Sequence, residues 1–202
     1  MNISGHTEPF AVLGHPIAHT LSPVMHNANF EALGMDAVYL AFDVDPARLM
    51  TVLKGMADMG FRGVNLTVPL KEVAFRNLRD IDPSARQLGA VNTVEFRSNG
   101  LRGHNTDGKG FLLALKESFG LSVKGLSVFV LGTGGAGRAV AITCAAHGAA
   151  RVALADLDTL RCRRVAREIS AVNRRASVTT VPADPSAWRD ACRKADLVIQ
   201  AT

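Results

Sequence analysis

The chain has 202 residues, 48% of them hydrophobic and 20% charged, with a formal net charge of +5. Those proportions support a sizeable buried core, as one large domain or two small ones, and no apolar run approaches the roughly 20 residues of a membrane-spanning helix. The opening Met1-Asn2-Ile3-Ser4-Gly5-His6 lacks the basic flank and apolar stretch of a secretory leader, so cytoplasmic residence without membrane attachment is expected.

Cys144, Cys162 and Cys192 are odd in number and lack metal-ligand spacing, which argues for free thiols rather than a disulfide framework or a metal site. Lysine and arginine are spread along the chain apart from Arg161, Arg163, Arg164 and Arg167, and one Trp and one Tyr offer little for base stacking. A nucleic-acid partner is therefore not expected. A modest positive field suits an anionic small-molecule substrate and a pyrophosphate cofactor.

In chain order, strand-length apolar runs alternate with helix-length amphipathic stretches, as in an α/β protein with a mainly parallel sheet. The runs are Phe10–Leu13, Ala37–Val44, Gly63–Val68, Val91–Phe96, Val128–Leu131, Arg151–Ala155, Ser177–Val181 and Leu197–Gln200. Helix starts are marked by a capping residue followed by proline: Ser22-Pro23, Asp45-Pro46, Asp82-Pro83 and Asp184-Pro185. Gly34 and Gly60 read as helix stops. A break near Asp107–Gly125 separates a small α/β unit from what reads as the start of a dinucleotide fold, giving domains at 1–107 and 108–202.

Leu126-Ser127-Val128-Phe129-Val130-Leu131 runs straight into Gly132-Thr133-Gly134-Gly135-Ala136-Gly137 and then into a helical stretch. Strand, glycine turn and helix in that order form a dinucleotide-binding fingerprint, in which backbone N–H groups at a helix N-terminus meet the pyrophosphate and no Cβ stands in the way. Asp156 ends the next apolar strand, where a carboxylate accepts from the ribose hydroxyls and repels a 2′-phosphate, so NAD is favoured over NADP. Arg161 offers the opposing contact, since a guanidinium reaching a 2′-phosphate would offset that repulsion; the neighbouring arginines read as a solvated helix face.

Polar segments sit at the expected strand ends of the first unit. Gly14-His15-Pro16-Ile17-Ala18-His19-Thr20-Leu21-Ser22-Pro23 places hydroxyls of Thr20 and Ser22 beside a helix N-terminus, suited to a carboxylate ligand, although Ser22 as a plain helix cap explains the same residue. Asn65-Leu66-Thr67-Val68-Pro69-Leu70-Lys71, Gly89-Ala90-Val91-Asn92-Thr93 and Gly103-His104-Asn105-Thr106-Asp107-Gly108 follow. Each alone is ordinary turn chemistry.

Taken together, in this order and ahead of a glycine-rich loop, these segments resemble those of the shikimate and quinate/shikimate dehydrogenases, over essentially the whole chain from Gly14 to Thr202. The resemblance implies a three-layer α/β substrate domain followed by a Rossmann domain that is incomplete at its C-terminus, because family members continue beyond the equivalent of Thr202. It also implies reversible NAD(P)-dependent reduction of 3-dehydroshikimate to shikimate, in chorismate and aromatic amino acid biosynthesis. By resemblance Lys71 and Asp107 are the catalytic pair, Thr20 and Ser22 hold the substrate carboxylate, and Asn65, Thr67, Asn92 and Asn105 surround the ring hydroxyls. Gly132, Gly134, Gly135, Ala136, Gly137, Asp156 and Arg161 face the cofactor, NAD or NADP, and a homodimer is compatible with the family.

The chemistry fits those residue types independently. Hydride reduction of a ketone leaves an alkoxide-like oxygen that needs a proton and a positive charge beside it, and a lysine supplies both while a neighbouring aspartate positions it. Two departures stand out: Thr20 replaces a serine, and Asp156-Leu157-Asp158 replaces an Asn-Arg-Thr phosphate clamp, as in NAD-using quinate/shikimate dehydrogenases. That relative and a non-catalytic cofactor-binding homologue are the alternatives. A methylenetetrahydrofolate dehydrogenase shares the two-domain plan, but no folate site is legible.

Overall fold

The computed structural model describes residues 3–173 and 175–202; Met1 and Asn2, part of the opening read as lacking a leader, lie outside the described residues. The chain divides into two compact units, one up to Thr106 and one from Asp107 onward.

The first unit runs β1 (Glu8–Gly14), α1 (Ser22–Ala32), β2 (Ala37–Asp43), a 3-10 turn (Pro46–Arg48), α2 (Leu49–Asp58), β3 (Gly63–Leu66), α3 (Leu70–Asn77), β4 (Asp80–Ile81), α4 (Pro83–Leu88), β5 (Thr93–Arg97) and β6 (Gly100–His104). Its six strands form one sheet in the order β2-β1-β3-β5-β6-β4. Period-two alternation along β1 sends side chains to opposite faces. Ala11 and Leu13 join Leu49, Leu53 and Met56 of α2 and Leu70 and Ala74 of α3 in one core. Phe10 and Val12 pack on the other face with Tyr39, Ile17 and Phe30 of α1. Helices therefore cover both faces, a three-layer arrangement.

The sheet is mainly parallel, as expected, with β5 the one reversed strand. β1 runs parallel to β2 and β3, and β4 to β6, but β5 is antiparallel to both β3 and β6. Ser98 and Asn99 turn β5 into β6 as a hairpin, and Gly100, at φ +132°, adopts a conformation that glycine reaches without a Cβ penalty. Neither β6 nor the two-residue β4 was among the expected strands. β5 starts at Thr93 rather than Val91, and β3 ends at Leu66 rather than Val68.

Three of the four proline-marked starts hold as drawn. The side chains of Asp45, Asp82 and Asp184 accept from Ala47, Ser84 and Ala187 N–H. The fourth differs: Leu21 occupies the cap position of α1, Ser22 is already in the helix, and no side chain caps it. Gly34 and Gly60 take positive φ just after α1 and α2, as expected of helix stops. At the edge strand β2, Asn27 of α1 acts as a substitute strand: its amide donates to Tyr39 O at 2.9 Å and accepts from Tyr39 N at 2.8 Å.

The second unit runs α5 (Asp107–Phe119), β7 (Ser127–Leu131), α6 (Gly135–Ala146), β8 (Arg151–Ala155), α7 (Thr159–Val172), β9 (Ser177–Thr180), α8 (Pro185–Arg193) and β10 (Leu197–Gln200). Its sheet is wholly parallel in the order β10-β7-β8-β9, so strand order reverses beside β7, where open α/β sheets bind ligands. Small residues let helices approach. An added Cβ at Gly108 of α5 would collide with the Thr143 hydroxyl of α6. Among the described residues no helix is long and apolar enough to cross a membrane.

Candidate active site

Because β5 runs against its neighbours, the C-terminal ends of β1, β3 and β6 and the N-terminal end of β5 share one edge of the first sheet. That edge carries the polar segments. Asn65 stands in β3 opposite Thr93 at the start of β5. Its Nδ2 donates to Asn92 O at 3.3 Å and to Thr93 Oγ1 at 3.1 Å, while its Oδ1 accepts from the Tyr39 hydroxyl at 2.6 Å. Asn92, 7% exposed, receives Thr93 Oγ1 at 3.0 Å and Thr106 N at 2.9 Å on Oδ1, and donates from Nδ2 to Thr106 Oγ1 at 2.9 Å. These contacts form a continuous polar chain in an interior where unpaired groups would be costly.

Other expected residues flank it. Thr67 follows β3, and its methyl stands where a Cβ on Gly14 would fall at 2.6 Å, so glycine is what allows the ends of β1 and β3 to close together. The half-buried Lys71 lies in the first turn of α3, with its carbonyl accepting from Val91 N at 3.0 Å. In the loop after β1, Thr20 Oγ1 donates to Ser22 Oγ at 3.2 Å and accepts from Ser22 N at 3.3 Å. Asn105 is buried and donates from Nδ2 to Ala90 O at 2.9 Å, a bond that braces the loop between α4 and β5. Asp107 follows Thr106 directly and opens α5.

In the second unit, β7 passes through Gly132, Thr133 and Gly134 into α6. The glycines divide by function. At Gly132 (φ +95°) a Cβ would meet Ala201 O at 2.6 Å, and at Gly137 it would overlap the Gly132 carbonyl, so packing demands glycine at both. At Gly134 and Gly135 an added Cβ meets no protein atom within 4 Å. Nothing in the protein requires glycine there, whereas a pyrophosphate laid against the first N–H groups of α6 does. The residues present therefore fit a dinucleotide, with Ala136 and Gly137 completing the first turn.

Asp156, at the end of β8, anchors this loop. Its Oδ2 accepts from Thr133 N at 2.7 Å and Thr133 Oγ1 at 2.8 Å, and its Oδ1 from Asp158 N at 2.9 Å. Desolvation pushes its pKa upward, but the hydrogen bonds from Asp158 and Thr133 and the nearby Arg161 outweigh it and leave the carboxyl below its ordinary value. Arg161 is held by acids, at 3.6 Å from Asp156 and 3.4 Å from Asp158. Cys144 and Cys162 are buried and free, Cys192 is exposed and free, and no metal-competent cluster exists among the described residues.

Sequence reading assigned no role to Tyr39, Thr93 or Thr106, which join the expected amides into one network. Thr93 and Thr106 lie inside the polar segments, whose hydroxyls are the signal for such a pairing. Tyr39 sat in an apolar run with nothing to distinguish it from a core aromatic.

Comparison with known proteins agrees with this geometry. Residues 12–94 match the family described as "Shikimate dehydrogenase substrate binding domain", and residues 128–202 match the "Saccharopine dehydrogenase NADP binding domain". A shikimate dehydrogenase (NADP(+)) of Methanopyrus kandleri is 40% identical over 100% of this chain, which covers 69% of that protein. The crystal structure of shikimate 5-dehydrogenase from Listeria monocytogenes, in complex with shikimate and NAD, superposes with a TM-score of 0.87 at 34% identity, covering 100% of this chain and 71% of that one. Quinate dehydrogenase from Corynebacterium glutamicum in complex with NAD gives 0.83 at 32%, covering 97% and 71%. Sharing this two-part plan and this degree of identity, the chain belongs to the shikimate dehydrogenase family of NAD(P)-dependent oxidoreductases.

Proposed function

We propose that the chain provides the substrate-binding and dinucleotide-binding parts of a shikimate dehydrogenase, which reversibly reduces 3-dehydroshikimate to shikimate. One observation carries the reading. The unit that matches the family's substrate-binding domain brings Asn65, Thr67, Asn92 and Lys71 to a single sheet edge, with donors, acceptors and a cation suited to a polyhydroxylated ring.

The paired hydroxyls of Thr20 and Ser22 bind the carboxylate, and the amides of Asn65 and Asn92 address the ring hydroxyls. The bound nicotinamide supplies the hydride. As the carbonyl oxygen gains negative charge, Lys71 places an ammonium beside it and delivers a proton to that oxygen. Asp107 is the other member of the catalytic pair that the family resemblance implies, a carboxylate able to accept a hydrogen bond from a substrate hydroxyl. In the oxidative direction the amine takes that proton back from the substrate hydroxyl.

The cofactor is NAD in preference to NADP, because Asp156 and Asp158 both engage Arg161 and set two negative charges where a 2′-phosphate would sit. The same acidic pair favours NAD-linked quinate/shikimate oxidation as the second reading. Initial rates with shikimate and with quinate, each paired with NAD and NADP, separate the two. Shikimate with NAD is expected to be fastest. Absence of turnover with all four pairs, together with no calorimetric binding of shikimate, would overturn the proposal.

A further inference from the structure

The asparagine at the centre of the polar chain has only one orientation open to it. The carbonyl of Asn92 is purely an acceptor, so the side of Asn65 that faces it at 3.3 Å must be the amide nitrogen. Its second hydrogen reaches Thr93 Oγ1 at 3.1 Å, which uses both donors. Oδ1 is then turned toward Tyr39, whose hydroxyl must donate across the 2.6 Å between them. An amide oxygen accepts two hydrogen bonds, and Tyr39 supplies one.

Tyr39 is built to hold that bond. Its backbone is clamped on both sides by the amide of Asn27, the His26 ring stacks on it at 4.2 Å with an interplanar angle of 17°, and the residue is 4% exposed. Burial pushes the phenol up to about 12, which keeps the proton on the oxygen through the working pH range. Downstream, the Thr93 hydroxyl passes its hydrogen to Asn92 Oδ1 at 3.0 Å, and Asn92 Nδ2 donates to Thr106 Oγ1 at 2.9 Å. From Tyr39 to Asn92 each link runs the same way, with Tyr39 at its head, and Thr106 N–H returns one donation to Asn92 Oδ1 at 2.9 Å.

We infer that Tyr39 is a positioning residue: by donating to Asn65 Oδ1 it fixes the amide so that Asn65 offers the substrate an acceptor, selecting a ring hydroxyl over an ether or carbonyl oxygen. This rests on the reading of Asn65 as a substrate contact given above. Removing the phenolic hydrogen leaves Asn65 held on its nitrogen side alone, with Oδ1 unanchored and the chain without its directional start.

Two measurements on the full chain test it. Shikimate is titrated calorimetrically into the wild type, Tyr39→Phe, Asn65→Ala and the double variant, with the thermal midpoint of each recorded. Tyr39→Phe is expected to weaken binding about tenfold, the scale of one hydrogen bond, and to have almost no effect once Asn65 is alanine. Equal weakening in both backgrounds, or none in the wild type, overturns the inference. Side-chain amide hydrogen exchange of Asn65, followed by NMR without ligand, gives an answer that does not depend on substrate. Faster exchange in Tyr39→Phe supports the inference, and unchanged exchange overturns it. A wild type that fails to bind shikimate refutes the functional reading instead, while the exchange result still decides whether Tyr39 orients Asn65.

Discussion

Thr133 donates twice to one oxygen of Asp156, from its backbone at 2.7 Å and from its hydroxyl at 2.8 Å. The acidic residue expected to meet a ribose is thus also the post to which the glycine loop is tied. A carboxylate has about four acceptor positions. Thr133 and Asp158 take three of them within the protein, leaving Oδ1 with room for one ribose hydroxyl rather than two.

Replacing Asp156 with alanine therefore removes both the loop anchor and the charge. NAD affinity is expected to fall about ten- to a hundredfold, in keeping with roughly 1.5–3 kcal/mol for hydrogen bonds to a charged group. NADP affinity should fall less, because the repulsion goes as well, and fluorescence titration with both cofactors reads the difference. The folded carboxyl binds its proton more weakly than an ordinary aspartate of 3.8. Its contribution to stability is complete above that unfolded value and is lost as pH falls through the lower folded one. Acid unfolding of the wild type should accordingly show a dependence below about pH 4 that Asp156→Asn reduces.

The glycines of the loop separate packing from ligand binding. At Gly137 a methyl group would occupy the Gly132 carbonyl, and both partners are backbone. Gly137→Ala is expected to destabilise the fold by about 1–3 kcal/mol, visible as a lowered thermal midpoint without any ligand. At Gly134 the methyl meets no protein atom within 4 Å. Gly134→Ala should leave the midpoint unchanged and still weaken dinucleotide binding. Equal thermal shifts in both variants would show that the loop's glycines serve packing alone.

What was legible in the sequence was set by local chemistry. The all-parallel second sheet could be read because its strands are buried apolar runs separated by helices, and Arg151–Ala155 and Leu197–Gln200 begin and end as expected. The first sheet was harder. β4 has two residues, and β6, Gly100–His104, contains two glycines and an arginine, so neither shows a hydrophobic period. Arg102 in β6 is held instead by an ion pair to Asp82 at 2.8 Å, a tertiary interaction invisible in the chain order. The site followed the same rule. Motif residues could be listed, but the antiparallel hairpin that carries Asn92 and Thr106 to the same edge as Asn65 could not be read from them.

In the proposed reading Arg161 sets how firmly the cofactor is selected. Its guanidinium lies 3.6 Å from Asp156 and 3.4 Å from Asp158, and both contacts are partly exposed to solvent. A 2′-phosphate would have to draw it from two carboxylates while adding its own charge beside them. Wild-type kcat/KM is expected to favour NAD at least tenfold, about 1.4 kcal/mol. Asp158→Asn leaves Arg161 with one acid and should narrow that ratio, whereas Arg161→Ala should widen it. A wild type that prefers NADP would mean the guanidinium leaves its acids readily.

Lys71 is the residue on which turnover depends in the proposed chemistry. It sits in the first turn of α3, where Leu70 and Ala74 are fully buried and its own carbonyl receives Val91 N–H. Its backbone position is therefore independent of its side chain, so Lys71→Ala should fold normally. Proton delivery acts on the transition state and far less on bound substrate. The substitution is expected to lower kcat by about 10²- to 10⁴-fold while the Kd for shikimate moves only a few fold. Lys71→Arg keeps a cation beside the oxygen but gives up its proton far less readily, and should recover binding without recovering rate. Loss of binding and rate by the same factor in Lys71→Ala would make the lysine a substrate anchor rather than the proton donor.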